Sequence, residues 1–264
     1  MRKSIVSLIQ SSTEKQSINE RFTMDVKSAI IKYDILHSRE GSNNYKPSSM
    51  NCMRNMYFTR IKCPRDESVV DYQMIGMADT GTRRHEAIQT ILLNMESMGY
   101  DWKYIDVESY VLDKQKEAKC KDLVILEKFG AETHLLDTNL HVSFRVDGIV
   151  QRLSTGEYYL FEFKNQTSFK YRDKIRVDDA HMNQVVCYCT LLDLDKALVL
   201  YENRDICELT CPQLLEVTDQ MKQDMCINKL IECEEYVRKL IPPPKCEDEK
   251  YCKWCDYKHT CAKL

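Results

Sequence analysis

Apolar and polar positions alternate most regularly between Val142 and Lys164, VSFRVDGIVQRLSTGEYYLFEFK. The pattern predicts two strands, Val142–Val150 and Tyr158–Lys164, joined by a polar turn around Ser154-Thr155-Gly156. In the second strand Tyr159, Phe161 and Phe163 fall on one face and Glu162 and Lys164 on the other, because side chains alternate with period two. A helical period takes over from Gly76 to Met98, where Ile88, Ile91, Leu92 and Met95 form the apolar stripe. His85 lies nearly two turns before Leu92 and shares that side. Asp178-Asp179 cap a predicted helix reaching about Leu192, and Lys196–Tyr201 (KALVLY) is a compact buried strand. Strand, helix and strand at this spacing predict a crossover onto a parallel partner.

Elsewhere the pattern is coarser. Residues 1–50 look helical and peripheral, broken at Gly41–Tyr45 and Pro47. Ser48-Ser49 can cap a short helix carrying Cys52, Arg54, Tyr57 and Phe58, and Asp66-Glu67 lie near a second capped start. Residues 103–142 read as two or three strands of mixed polarity. Pro212 to Leu240 reads as one long helix stopped by Pro242-Pro243-Pro244. This outlines an α/β protein in three parts: a helical extension over 1–50, a core over 51–245, and a cysteine-bearing segment over 246–264.

Composition narrows the function classes. Of 264 residues, 43% are hydrophobic and 30% charged, which describes an ordinary globular chain. The net charge of −3 provides no global basic field, so any nucleic-acid contact must be a local patch. The start, MRKSIVSLIQSS, has an apolar run too short for a signal segment, and no stretch approaches a membrane span. The expectation is an intracellular protein. Its 13 cysteines, an odd number, then argue against a disulfide framework and for metal binding by some of them.

Candidate chemistry changes the picture further. A two-residue turn at Ser154-Thr155 would pair Asp147 with Glu162, and one at Thr155-Gly156 would pair it with Lys164. Either register brings the three side-chain roots within roughly 4.5–8 Å. Two carboxylates that close repel unless a cation sits between them, and a divalent ion is the usual answer. Lys164 beside them can orient water or offset charge on a phosphate. A solvated sheet face with a cross-strand ion pair is the simpler alternative. Cys252-x2-Cys255-x5-Cys261 is a second signal, because thiolates at such spacing converge on one metal or cluster, with Trp254 and Tyr257 packed around it. The fourth ligand comes from elsewhere, Cys246 or Cys52. Cys246 follows three prolines whose stiff backbone is expected to hold it away from the Cys252–Cys261 loop. Spacing favours zinc over an iron–sulfur cluster. Cys187, Cys189, Cys207, Cys226 and Cys233 read as core residues. Gln184 and Tyr188 share a helix face. Lys170, Arg172, Lys174 and Arg176 interleave with Phe169 and Tyr171, which is either a solvated face or a surface for single-stranded nucleic acid.

The order of these features resembles the RecB-like nucleases of the PD-(D/E)XK superfamily. The chain looks most like the CRISPR-associated and phage-encoded exonucleases that carry a 4Fe–4S cluster. The resemblance spans about residues 48–264 and rests on Cys52, His85, Asp147, Glu162-x-Lys164, Gln184-x3-Tyr188 and the C-terminal cysteines. It implies a restriction-endonuclease-like core, a mixed sheet flanked by helices. It also implies Mn²⁺ or Mg²⁺ held by His85, Asp147, Glu162 and the Phe163 carbonyl, with Lys164 as catalytic lysine and Gln184 and Tyr188 as the accompanying pair. Cys52, Cys252, Cys255 and Cys261 would hold the cluster, closing the C-terminal segment back on Cys52. The implied activity is metal-dependent hydrolysis of DNA from single-stranded ends. Two alternatives stand beside it: a catalytically silent DNA- or partner-binding module, and an endonuclease subunit in recombination or spacer processing. Residues 1–50 and Cys246 fall outside the resemblance, which leaves room for a protein partner, a second copy of the chain, or DNA guiding.

Overall fold

Apolar side chains on both faces make Tyr158–Gln166 a strand that only the middle of a sheet can accommodate. The computed structural model describes residues 17–37, 41–66, 71–129, 132–172, 176–212, 214–253 and 255–264. Its strands are β1 (Trp102–Ile105), β2 (Leu123–Phe129), β3 (Glu132–Asp137), β4 (Val142–Val146), β5 (Gly148–Arg152), β6 (Tyr158–Gln166), β7 (Lys196–Asn203), β8 (Glu208–Thr210) and β9 (Leu215–Glu216). The helices are α1 (Ile18–His37), α2 (Met53–Arg60), α3 (Tyr72–Asn94), α4 (Val107–Lys116), α5 (Ser168–Tyr171), α6 (Asp179–Leu192), α7 (Asp219–Lys222), α8 (Asn228–Lys239) and α9 (Lys258–Ala262).

The main sheet runs β1-β5-β6-β7-β8, with β9 also on β7, and β2-β3-β4 form a second sheet. β6 pairs antiparallel with β5 and parallel with β7, so the sheet is mixed and the expected crossover is β6–α6–β7. Leu160 and Val199 pack with Val185, Val186 and Leu192 of α6, whereas Phe161 and Phe163 pack with Ile88 of α3. Because consecutive strand residues face opposite ways, the two helices flank opposite faces of the sheet.

The stretch expected as one strand, Val142–Val150, is two. β4 pairs only within the small sheet and β5 only within the large one, and Asp147 is the residue between them. The turn holds four residues, Leu153–Gly156, since Arg152 N donates to Glu157 O at 3.0 Å and Gly156 N to Arg152 O at 2.8 Å. Gly156 supplies the φ of 74° that closes it. Asp101 holds the turn from outside, accepting from Ser154 N at 2.7 Å and Arg152 Nε at 3.1 Å. The strand register is nonetheless the first of the two expected, with Gly148 opposite Phe161. Continued by one residue, it sets Asp147 against Glu162.

Two further elements differ from expectation. Residues 107–116 are helical, with Asp106 capping Ser109 N at 3.1 Å and Val107, Tyr110 and Val111 turned inward. Helix begins at Asp219 rather than Pro212, after Thr218 caps Met221 N, and runs from α7 through a π turn (Gln223–Ile227) into α8. Ser168–Tyr171, in the basic stretch for which no element was expected, is a single turn of helix.

The chain divides into two compact units. Among the described residues, 17–37, Gly41 and 71–80 fall in the smaller one and 42–66 and 81–264 in the larger. Tyr45, fully buried in the larger unit, bonds through its backbone to His141 and Ser143. No described helix is long and apolar enough to cross a membrane.

Candidate active site

Asp147 sits where the chain leaves one sheet for the other, one residue past the last β5–β6 pair, so its carboxylate is free to turn onto β6 and α3 instead of standing in a ladder. Gly148 makes this step feasible, because a Cβ there would meet Tyr104 Cε2 at 2.7 Å. Asp147 Oδ2 accepts from the backbone N–H of Phe163 at 2.8 Å, and Oδ1 lies 3.1 Å from His85 Nδ1 on α3. A strand residue's N–H and C=O point the same way, so the Phe163 carbonyl is turned toward the Asp147 side as well. Gln89, one helical turn after His85, donates to Asp147 O at 2.9 Å.

Glu162 is 3% exposed. Its Oε1 accepts from Lys164 Nζ at 2.6 Å and from Gln184 Nε2 at 3.1 Å. Gln184 Oε1 in turn accepts from Lys164 Nζ at 3.0 Å, and its Nε2 donates to Tyr188 OH at 2.8 Å. Burial, with the charge of Asp147 added, outweighs the help of Lys164 and His85 and pushes the Glu162 carboxyl up to about 7. Burial pulls His85 down, but hydrogen bonding to Asp147 and the charges of Asp147 and Glu162 outweigh it and raise its pKa. Burial also lifts the Tyr188 hydroxyl well above its ordinary value. The structure thus gathers Asp147, Glu162, Lys164, His85, Gln184 and Tyr188 in one place, with Phe163 beneath them.

The residues fit a divalent cation on one observation: Glu162 Oε2 is buried and has no hydrogen-bond partner. A buried carboxylate oxygen left unpaired is costly, and an oxygen-seeking cation would satisfy it. Among the described residues no three His, Cys, Asp or Glu side chains stand in a preformed ligand arrangement.

Sequence reasoning missed a neighbouring ion pair. Arg84 Nε reaches both oxygens of Glu202, at 2.7 and 2.8 Å, and Asn165 Nδ2 donates to the same carboxylate at 2.9 Å. Glu202 is 1% exposed, so this grip holds the helix that carries His85 against the ends of β6 and β7. The only signal in the chain was a charge at the end of an otherwise apolar strand, directly after KALVLY.

The cysteines behave differently from expectation in one respect. Cys52, Cys252, Cys255 and Cys261 line one cavity of about 350 Å³, and Cys246 lines it too. The prolines do not hold Cys246 away. Pro243 O accepts from Arg54 Nε at 2.7 Å, which draws the segment onto α2. Arg54 also reaches Cys261 Sγ at 3.3 Å, while Asn55 Nδ2 and Tyr257 N lie 3.4 and 3.5 Å from Cys255 Sγ. Donors aimed at sulfur suit thiolates. Trp254, expected to pack here, lies outside the described residues, whereas Tyr257 packs on Phe58 at 5.4 Å between ring centroids. Of the remaining cysteines, Cys187, Cys189, Cys226 and Cys233 are buried as expected, but Cys207 is exposed.

In the basic stretch Phe169 is 82% exposed while Tyr171 is buried, so only one of its two aromatics can stack on a ligand. Arg176 lies 3.4 Å from Asp179, and Lys174 lies outside the described residues.

No protein-family model matches the chain, and no curated protein matches it. Among solved structures it is similar to SSO0001, with 16% identity, a TM-score of 0.47, 94% of this chain covered and 100% of that one. It is also similar to an alkaline exonuclease, LHK-Exo, from Laribacter hongkongensis, at 11% identity and a TM-score of 0.42, covering 81% of this chain and 95% of that one. The same exonuclease in complex with dAMP gives 12% identity and a TM-score of 0.41, covering 75% of this chain and 91% of that one.

Proposed function

We propose that the larger unit is a divalent-metal-dependent deoxyribonuclease of the PD-(D/E)XK kind, hydrolysing phosphodiesters from single-stranded DNA ends. The observation that carries the reading is the buried Glu162 carboxylate, with one oxygen held by Lys164 and Gln184 and the other unpaired beside Asp147 and His85. A solvated ion-pair face would not bury that carboxylate or leave half of it unsatisfied. His85, Asp147, Glu162 and the Phe163 carbonyl are the groups that would hold Mn²⁺ or Mg²⁺. When bound, the ion would supply Lewis acidity to a phosphate oxygen and a lowered pKa for attacking water. Lys164 keeps its ammonium at the reacting position and offsets charge building on the phosphate. Gln184 fixes that ammonium by accepting from it, and Tyr188 fixes Gln184. Phe163 N–H and His85 hold the Asp147 carboxylate at the same edge.

Five cysteines line one cavity, which supports a thiolate-bound metal group there, a 4Fe–4S cluster as the proposal and structural zinc as the other candidate. No three of them stand in a preformed ligand arrangement, so the sulfurs would have to draw together on a bound group. Lying between α2 and the C-terminal segment, such a group would serve the structure rather than hydrolysis.

The test is digestion of end-labelled single-stranded and duplex DNA with Mn²⁺, beside a chelator control. Mononucleotides or short oligonucleotides released from single-stranded ends are expected. Release of internal fragments would favour the endonuclease subunit, and retention of DNA with no product under any ion would favour the silent binding module.

A further inference from the structure

Two asparagines that the candidate mechanism does not use join the active-site helix to the thiol-bearing segment. Asn183 is buried on α6, immediately before Gln184. Its Nδ2 donates to Asn51 Oδ1 at 2.6 Å, and its Oδ1 accepts from Lys229 Nζ at 2.8 Å. Asn51 Nδ2 donates to Ala180 O at 3.0 Å, so one side chain grips α6 at two points about a turn apart. Asn51 directly precedes Cys52, the residue at the start of α2 that lines the thiol cavity. Asn51 O also faces Cys246 Sγ at 4.0 Å.

Adjacent helical residues point about 100° apart, so Asn183 and Gln184 leave α6 in different directions from nearly the same backbone. Val185, Val186 and Leu192 seat α6 on the sheet, and whatever holds Asn183 adds a polar clamp one residue from Gln184, fine-tuning how Gln184 meets Lys164. Lys229 cannot do this alone, because a single ammonium on a flexible stem constrains direction poorly. The paired amide contacts of Asn51 can, since they fix the helix both along and around its axis.

We propose that Asn51 and Asn183 are positioning residues for phosphodiester hydrolysis, coupling the alignment of Gln184 on Lys164 to the segment that carries Cys52. The inference rests on the nuclease reading. It deepens that reading by naming what holds the lysine's partner in place.

The experiment is steady-state cleavage of a labelled single-stranded oligonucleotide with Mn²⁺. It compares wild type, Glu162→Ala, Asn51→Ala, Asn183→Ala and the Asn51→Ala/Asn183→Ala double variant, with melting temperature and bound iron and zinc measured on each. Misplacing a catalytic group without removing it costs turnover rather than substrate binding, and here the expected loss in kcat is about tenfold or more. KM and metal content stay unchanged in Asn51→Ala and Asn183→Ala. The double variant is no worse than either single one, because the pair acts as a unit. Should Asn183→Ala melt early, Asn51→Ala, at a half-buried position, carries the test. Wild-type kcat in Asn51→Ala, or additive losses in the double variant, would overturn the inference. Wild type and Glu162→Ala being equally inactive would overturn the nuclease reading, and this inference with it.

Discussion

Glu162 and Lys164 divide the work of the proposed site between a buried carboxylate and the ammonium it holds. Replacing either with alanine is expected to lower the cleavage rate by about 10²–10³-fold or more while DNA binding changes little and the protein still folds. Lys164→Ala, which leaves Glu162 buried without its ammonium, should melt the earlier of the two. Near-normal turnover in either purified variant would remove the catalytic assignment. His85 makes a metal-dependent prediction, because an imidazole suits Mn²⁺ better than Mg²⁺, which prefers oxygen donors. Wild type should be faster with Mn²⁺, and His85→Ala should lose most activity with either ion; equal rates for the two proteins would leave the histidine as packing on Phe163. Glu162 also predicts a pH dependence. Burial sets its folded pKa near 7 against an ordinary value of 4.5, so between those values the folded protein holds a proton that the unfolded chain has released. Stability from this group is therefore present below about 4.5 and lost as the pH rises toward about 7. The metal-free protein should melt progressively lower across that window than Glu162→Gln does. Parallel melting curves for the two would show that the carboxylate is not desolvated as the geometry indicates.

At the scale of elements, the basic stretch divides into parts with different prospects. Phe169 and Lys170 are exposed on α5, and Arg172 follows them, while Tyr171 turns into the core. A nucleic-acid strand would find cations and one ring there. Reversing Lys170 and Arg172 to glutamate is expected to weaken single-stranded DNA binding and flatten its salt dependence, since fewer counterions would be released. Phe169→Ala should cost about 1–3 kcal/mol of stacking. Unchanged affinity and salt slope in the first variant would move the DNA path elsewhere. Element boundaries show where local pattern misleads. Val107, Tyr110 and Val111 have helical spacing, but they lie in a short segment between strand-like runs where the two periods are hard to separate. Val142–Val146 alternates strictly, but Asp147-Gly148 followed by the adjacent apolar pair Ile149-Val150 breaks the period, a local mark of the change of sheet that a single-strand reading passes over.

For the whole molecule, the C-terminal segment acts as a clasp. Asp66 accepts from His259 N and from both Thr260 N and Thr260 Oγ1, and Asp66 N donates to Asp256 O at 2.7 Å. These contacts bring residues near 260 onto the segment that begins at Cys52. A metal group bound by thiols from both would close a loop of some two hundred residues, removing about 5 kcal/mol of unfolded-chain entropy by analogy with disulfides. The purified protein is expected to be brown, with iron and sulfide bound. Cys52→Ala should lose the cluster and much of the thermal stability. Cys246 lines the same cavity, so Cys246→Ala keeps both only if Cys52 completes the set with Cys252, Cys255 and Cys261. A colourless protein with stoichiometric zinc would refute the cluster, and the reverse mutant pattern would make Cys246 the fourth ligand.

What the chain alone determined is what short-range periods encode. Alternation in the strand from Tyr158 to Lys164 put Glu162 and Lys164 on one face, the turn narrowed Asp147 to a place opposite one or the other, and helical spacing put Gln184 beside Tyr188. Which register forms was decided by the four-residue turn of the fold. The crossover to the strand at Lys196–Tyr201 was legible from the same short-range periods, since a helix of that length can return the chain to a parallel partner; the structure extends that strand to Asn203. The rest depended on which distant surfaces meet. That His85 reaches Asp147, that Glu202 receives Arg84, that Asn51 grips α6 and that Cys246 shares a cavity with Cys52 all involve partners from 62 to 195 residues apart, or from separate segments of the chain. No local period specifies such pairs. They follow from how two sheets and the helices between them bury their apolar faces together, a free energy that belongs to the whole fold and to no segment of it.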